Sequence, residues 1–90
     1  MEKTIITVVG KDKVGIIATV CSFLAKNDIN ILDISQTIVS GYFNMMMITD
    51  ITKAKADFHQ LEEELSLLGK EIGVRIQMQR EEIFDCMHRI

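Results

Sequence analysis

The stretch from Thr7 to Thr37, TVVGKDKVGIIATVCSFLAKNDINILDISQT, restricts what this chain can fold into more than any other part of it. A β-branched run ends at Gly10, and a short polar loop follows. An apolar-periodic segment at about 13–27 then reads as a helix whose first turn contains Gly15. Asn27-Asp28 stops that helix, and a second extended run begins at Asn30-Ile31. Strand, helix and strand joined so closely form one crossover that returns the chain to the same sheet. A glycine-bearing strand-to-helix turn also leaves backbone N–H groups unpartnered at a helix N-terminus, where anions are favoured. Asp12 and Asn30 stand at the two ends of this crossover. The arrangement suits holding a small zwitterion better than breaking a bond.

The remaining periodicities complete the plan. Residues 3–9, KTIITVV, read as the strand that feeds the loop. On the helix, Val14, Ile17, Ala18, Cys21, Leu24 and Ala25 share one face, while Ile16, Val20 and Phe23 form a second stripe beside it. A helix lying on a sheet needs one apolar stripe, so the second points to another helix or another subunit. Residues 30–39 and 42–51 read as a hairpin around Ser40-Gly41, with Met45, Met46 and Met47 distributing methionine to both faces of its second strand. Asp57 and Gln60 form a capping-box pair ahead of the stripe Phe58, Leu61, Leu65, Leu68 and Ile72, and Gly73 closes that helix. Glu62, Glu63 and Glu64 hold its wet side. Val74, Ile76 and Met78 alternate with polar residues in a last strand.

The order β-α-β-β-α-β predicts an α+β, ferredoxin-like sandwich: a four-stranded antiparallel sheet of order 4-1-3-2 with both helices on one face. Residues 1–80 form the domain and leave the 30–39 strand on an edge. Residues 81–90 carry Ile83, Phe84, Met87 and Ile90 at helical spacing, a short C-terminal helix appended to it.

Ninety residues, 48% of them hydrophobic, make one globular domain. The net charge of −3 and pI of about 5.3 argue against nucleic acid as a partner. No apolar run approaches the ~20 residues of a membrane span, and the N-terminus lacks the order of a signal peptide, so the expected location is the cytoplasm. Cys21 and Cys86 fit no metal or redox spacing; Cys21 reads as a small core hydrophobe, and neither metal nor cofactor is expected.

This fold hosts unrelated functions, so the site decides among them. An acylphosphatase-like enzyme needs an arginine in the first loop, where this chain has only GKDKVG. A metal chaperone needs paired cysteines there. An RNA-recognition module needs aromatics on both central strands, and the first strand has none. No Ser/His/Asp or Cys/His set and no paired carboxylates suggest an enzyme. The strand ITVVG, the loop Lys11-Asp12-Lys13, the segment VGIIATVCSFLAKNDINI and the hairpin at Gly41 together resemble the ACT domain over about residues 3–80. The chain looks closest to free-standing ACT proteins and to regulators similar to the glycine-cleavage-system repressor.

The resemblance implies a small module that binds amino acids or similar metabolites, a dimer or higher homo-oligomer made by pairing edge strands, and ligand in the cleft between subunits. On this reading, backbone N–H groups near Val14, Gly15 and Ile16 receive a carboxylate. Asp12 accepts from an ammonium group, with Lys13 in the same loop, and Asn30 with Ile31 approaches from the partner subunit. Asp12 is equally placed to be the helix N-cap. The edge strand has no Pro or Lys to block pairing, which sets Leu32 and Ile34 in the interface beside Ile16, Val20 and Phe23. The alternative is a ligand-free module that binds a partner protein.

Overall fold

The computed structural model describes residues 2–11 and 15–81 of the 90. Six elements follow in the order β1 (Lys3–Lys11), α1 (Ile16–Lys26), β2 (Asn30–Val39), β3 (Tyr42–Asp50), α2 (Phe58–Ile72) and β4 (Arg75–Arg80). The strands form one antiparallel sheet of order β2-β3-β1-β4, the expected ferredoxin-like arrangement. Alternation along the central strands sends Ile6 and Val8, Met45 and Met47, and Ile76 and Met78 to one side. There they pack with Leu24 of α1 and with Leu61 and Leu65 of α2. Both helices therefore cover the same face. Thr4 and Thr49 extend that face with a buried hydroxyl pair, Oγ1 to Oγ1 at 2.6 Å.

Local chemistry sets the element ends. Asp57 caps α2, its carboxylate accepting from the Gln60 N–H at 2.9 Å, and left-handed Gly73 ends it. α1 ends in a Schellman motif: Asp28 N–H bonds the Ala25 carbonyl and Ile29 N–H the Leu24 carbonyl at 2.9 Å. The left-handed position is held by Asp28, φ 57°, and the buried pair Leu24 and Ile29 supplies the hydrophobic contact that accompanies such caps.

The start and the faces of α1 differ from expectation. The helix begins at Ile16, and its N-cap is Gly15, so Asp12 is not the cap. Val20 is fully buried and Ile16 is 4% exposed in the chain's own core, with Phe23 partly buried against it. These residues are not a spare stripe for a second subunit; they are the sheet-facing stripe together with Leu24. Ile17, Ala18 and Ala25 are exposed instead, and Cys21 is half-buried, not a core residue. The physical reason is volume. Filling the gap between helix and sheet takes branched and large side chains, and alanine and cysteine supply little.

β2 is the exposed edge. Of its ten residues only Ile31 is even half-buried, while Leu32, Ile34, Ile38 and Val39 leave 39–64% of their surface to solvent. A bulge between Ile31 and Asp33 resets its alternation, so that Ile34 and Ile38 stand opposite Met47 and Phe43 on the helix side.

Candidate functional site

β1 ends at Lys11, and α1 opens on Gly15 as its N-cap. Its φ of 92° lies in the left-handed region that disfavours residues with a Cβ. A Cβ built there meets nothing within 4 Å, so glycine is required by backbone conformation and the space beyond it is open. Gly15 offers no side-chain cap, and the first-turn N–H groups of α1 have no intrahelical acceptor. The Thr19 N–H takes up the Gly15 carbonyl at 2.9 Å. The open helix end is polarised to accept a carboxylate, an effect worth ~0.3–1 kcal/mol near a surface. Asp12, Lys13 and Val14 lie outside the described residues.

Asn30 sits at the opposite end of α1. It is exposed and lines an open cleft of about 660 Å³ with Asp28, Ile29, Asp50 and Lys53. Ile31, beside it, turns inward to pack on the core. Two carboxylates, an amide and an amine thus share one mouth, groups that match the two charges of a zwitterion. Asp50 is fixed there: its Oδ1 accepts from the Thr52 hydroxyl at 2.5 Å and from the Thr52 N–H at 3.0 Å. The Thr52 hydroxyl bond, followed by its amide, holds the Asp50 carboxyl below the ordinary range. The Thr52 hydroxyl also accepts from the Glu2 N–H at 2.9 Å, tying the start of the chain to this corner. Asp28 lies 3.6 Å from Lys55, both exposed.

Within one chain the fold separates Gly15 and Ile16 from Asn30 and Ile31 by the length of α1, about 16 Å for eleven residues. The sequence reading missed Asp28, Asp50 and Lys53. Only Asp28 carried a signal, as the residue that stops the helix; Asp50 and Lys53 reach the cleft through the sheet register that pairs Asn30 with Asp50. Among the described residues no three His, Cys, Asp or Glu side chains converge as metal ligands would, and no helix is long and apolar enough to cross a membrane.

Residues 2–79 match the family profile of the ACT domain. The chain belongs to the ACT domain family. A UPF0237 protein of Bifidobacterium longum is 61% identical over 90 residues, covering all of both chains, and one of Methanocaldococcus jannaschii is 48% identical over the same span. Among solved structures, an ACT domain protein from Streptococcus pneumoniae superposes with a TM-score of 0.83 at 44% identity, covering 92% of this chain and 93% of that one. A structure described as a glycine cleavage system transcriptional repressor gives 0.74 at 26% identity, covering 88% of this chain and 45% of that one. ACT domains are typically small-molecule regulatory modules, and the resemblance carried by the Gly15 turn and the Asn27–Ile31 segment identified this one correctly.

Proposed function

We propose that this ACT domain is a dimeric regulatory sensor of a free amino acid, each ligand held between the Gly15 turn of one subunit and the Asn30 end of its partner's β2. The observation that carries the reading is the register of the edge strand. Lys11, Tyr42 and Val39 form one row at the end of the sheet where β1 stops, four residues before Gly15. Antiparallel pairing of β2 with its own copy sets residue 30 of the partner against the Val39 end. The two halves of the site, kept apart by α1 within one chain, then meet between two chains. In that cleft the α1 N-terminus takes the ligand carboxylate, Asp12 accepts from the ammonium group, and the partner's Asn30, both donor and acceptor, bridges the two.

The interface on this reading combines Leu32, Ile34 and Ile38 of β2 with the outer face of α1, namely Ile17, Ala18, Cys21 and Ala25. An edge strand so long, apolar and open needs such a cover, and a two-fold axis supplies it. The role is regulatory, without catalysis.

The test is calorimetric titration of the protein with each proteinogenic amino acid, alongside sedimentation at micromolar concentration. A dimer that binds one amino acid or a small group of them is expected, with a melting point that rises on binding. A ligand at 100 times its dissociation constant adds about 2.7 kcal/mol of stability. A dimer indifferent to every amino acid would instead mark a protein-interaction module. A monomer would remove the shared site altogether.

A further inference from the structure

The cleft beside Asn30 holds more chemistry than the main chain of an amino acid uses. It opens to about 660 Å³ between buried Ile29 and the polar side chains of Asp28, Asn30, Asp50 and Lys53, a size ordinary for small-molecule sites. In the proposed dimer the partner's α1 N-terminus and Asp12 answer the two main-chain charges, and Asn30 bridges them. Asp50 and Lys53 then remain on the Asn30 side with no group of the ligand assigned to them. Among the described residues the cleft draws only on residues between 28 and 53; residues 82–90, expected as the appended C-terminal helix, lie outside them.

The sheet register brings Asp50 to Asn30. The two stand directly opposite each other across β2 and β3, so their side chains leave the same face of the sheet, with Cβ atoms about 4.5–5.5 Å apart. Thr52 donates its hydroxyl and its N–H to Oδ1 of Asp50, which fills two of the roughly four acceptor positions of a carboxylate. Those bonds hold the carboxyl below the ordinary range, so at neutral pH it is ionised and only accepts. Lys53 only donates. The charge of Asp28 is met by Lys55 at 3.6 Å, whereas Lys53 forms no ion pair among the described residues. Lys3 stands opposite Asp50 on its other side, in β1, and does not line the cleft. An acceptor and a donor of opposite charge thus share one mouth without closing on each other.

Side chains differ in how they meet such a pair. A cation gains from Asp50 and is repelled by Lys53, and an anion meets the reverse. An aliphatic chain takes water from both groups and returns no hydrogen bond. A primary carboxamide donates through its nitrogen, accepts through its oxygen and carries no charge. We propose that this cleft reads the ligand's side chain and selects a carboxamide, with its amino group donating to Asp50 and its carbonyl accepting from Lys53. The ligand class is then asparagine or glutamine. The inference rests on the amino-acid reading above and deepens it: the Gly15 end recognises an amino acid as such, and the Asp50 and Lys53 end distinguishes one side chain from another.

The test is calorimetric titration of the full chain with L-glutamine, L-asparagine, L-glutamate, L-aspartate, L-lysine and L-alanine. One of the two amides is expected to bind at least about tenfold more tightly than alanine and than its own acid counterpart. Lys53→Met should cut the ratio of amide to alanine affinity about tenfold. Asp50→Asn keeps an oxygen for both Thr52 donors but removes the charge, and should move the preference from the amide towards its acid. A protein that binds glutamate, lysine or alanine best, or an amide preference that survives both substitutions, would overturn the inference and leave the amino-acid sensor standing. A protein that binds no amino acid at all would overturn both.

Discussion

Thr4 and Thr49 face each other across β1 and β3 with both hydroxyls sealed from solvent, so each is the other's hydrogen-bond partner. Thr49→Val leaves the Thr4 hydroxyl without that partner, at an expected cost of about 1–3 kcal/mol, whereas the double Thr4→Val, Thr49→Val variant should be close to neutral. Chemical denaturation of the two singles and the double measures this coupling; equal, additive losses would mean that the pair contributes only by packing. Gly15 offers a second test at this scale. A methyl group on its Cα has open space around it, but the φ of 92° disfavours any Cβ, so Gly15→Ala should cost roughly 1–2 kcal/mol from backbone strain alone. Denaturation should show that loss while the Ile16–Leu24 core stays intact by near-native methyl chemical shifts.

At the scale of the element, α1 is framed by two left-handed residues, Gly15 before it and Asp28 after it. Asp28 tolerates a conformation that glycine adopts freely, so Asp28→Gly should stabilise the chain by up to about 1 kcal/mol, read as a rise in melting temperature. A fall would show that the contact of Asp28 with Lys55 outweighs the backbone term. The order of elements was legible because each carries its own period and its own stop signal: Asp57 and Gly73 around α2, Ser40-Gly41 in the hairpin, Asn27-Asp28 after α1. Which face of α1 meets the sheet was not legible. Two apolar stripes lie side by side on it, and periodicity alone ranks neither. Side-chain bulk was the available signal, favouring Ile16, Val20 and Leu24 over Ala18, Cys21 and Ala25. The glycine half of the candidate site was readable from a short motif, whereas Asp50 and Lys53 join Asn30 only through strand register, which no local pattern encodes.

The whole molecule exposes apolar surface where a second copy would cover it, on β2 and on the outer side of α1. Ile38→Lys should therefore shift sedimentation towards monomer with little loss of stability, because Ile38 is 64% exposed within one chain. Leu24→Ala should do the reverse, costing about 2–5 kcal/mol of stability through a core cavity. An Ile38→Lys protein that sediments unchanged would move the interface elsewhere.

In the proposed dimer each ligand site takes the glycine turn from one chain and Asn30 from the other. Asp12→Ala and Asn30→Ala homodimers each lack one partner at both sites, and a charge-assisted hydrogen bond is worth ~1.5–3 kcal/mol, so each should bind the amino acid at least about tenfold more weakly. The deciding measurement is the affinity of the two variants mixed and allowed to exchange subunits. Every mixed dimer then carries one site with both residues intact and one with neither. The mixture is expected to regain native affinity at a fraction of its sites. A mixture that binds as weakly as the two variants alone, with subunit exchange demonstrated, would contradict it.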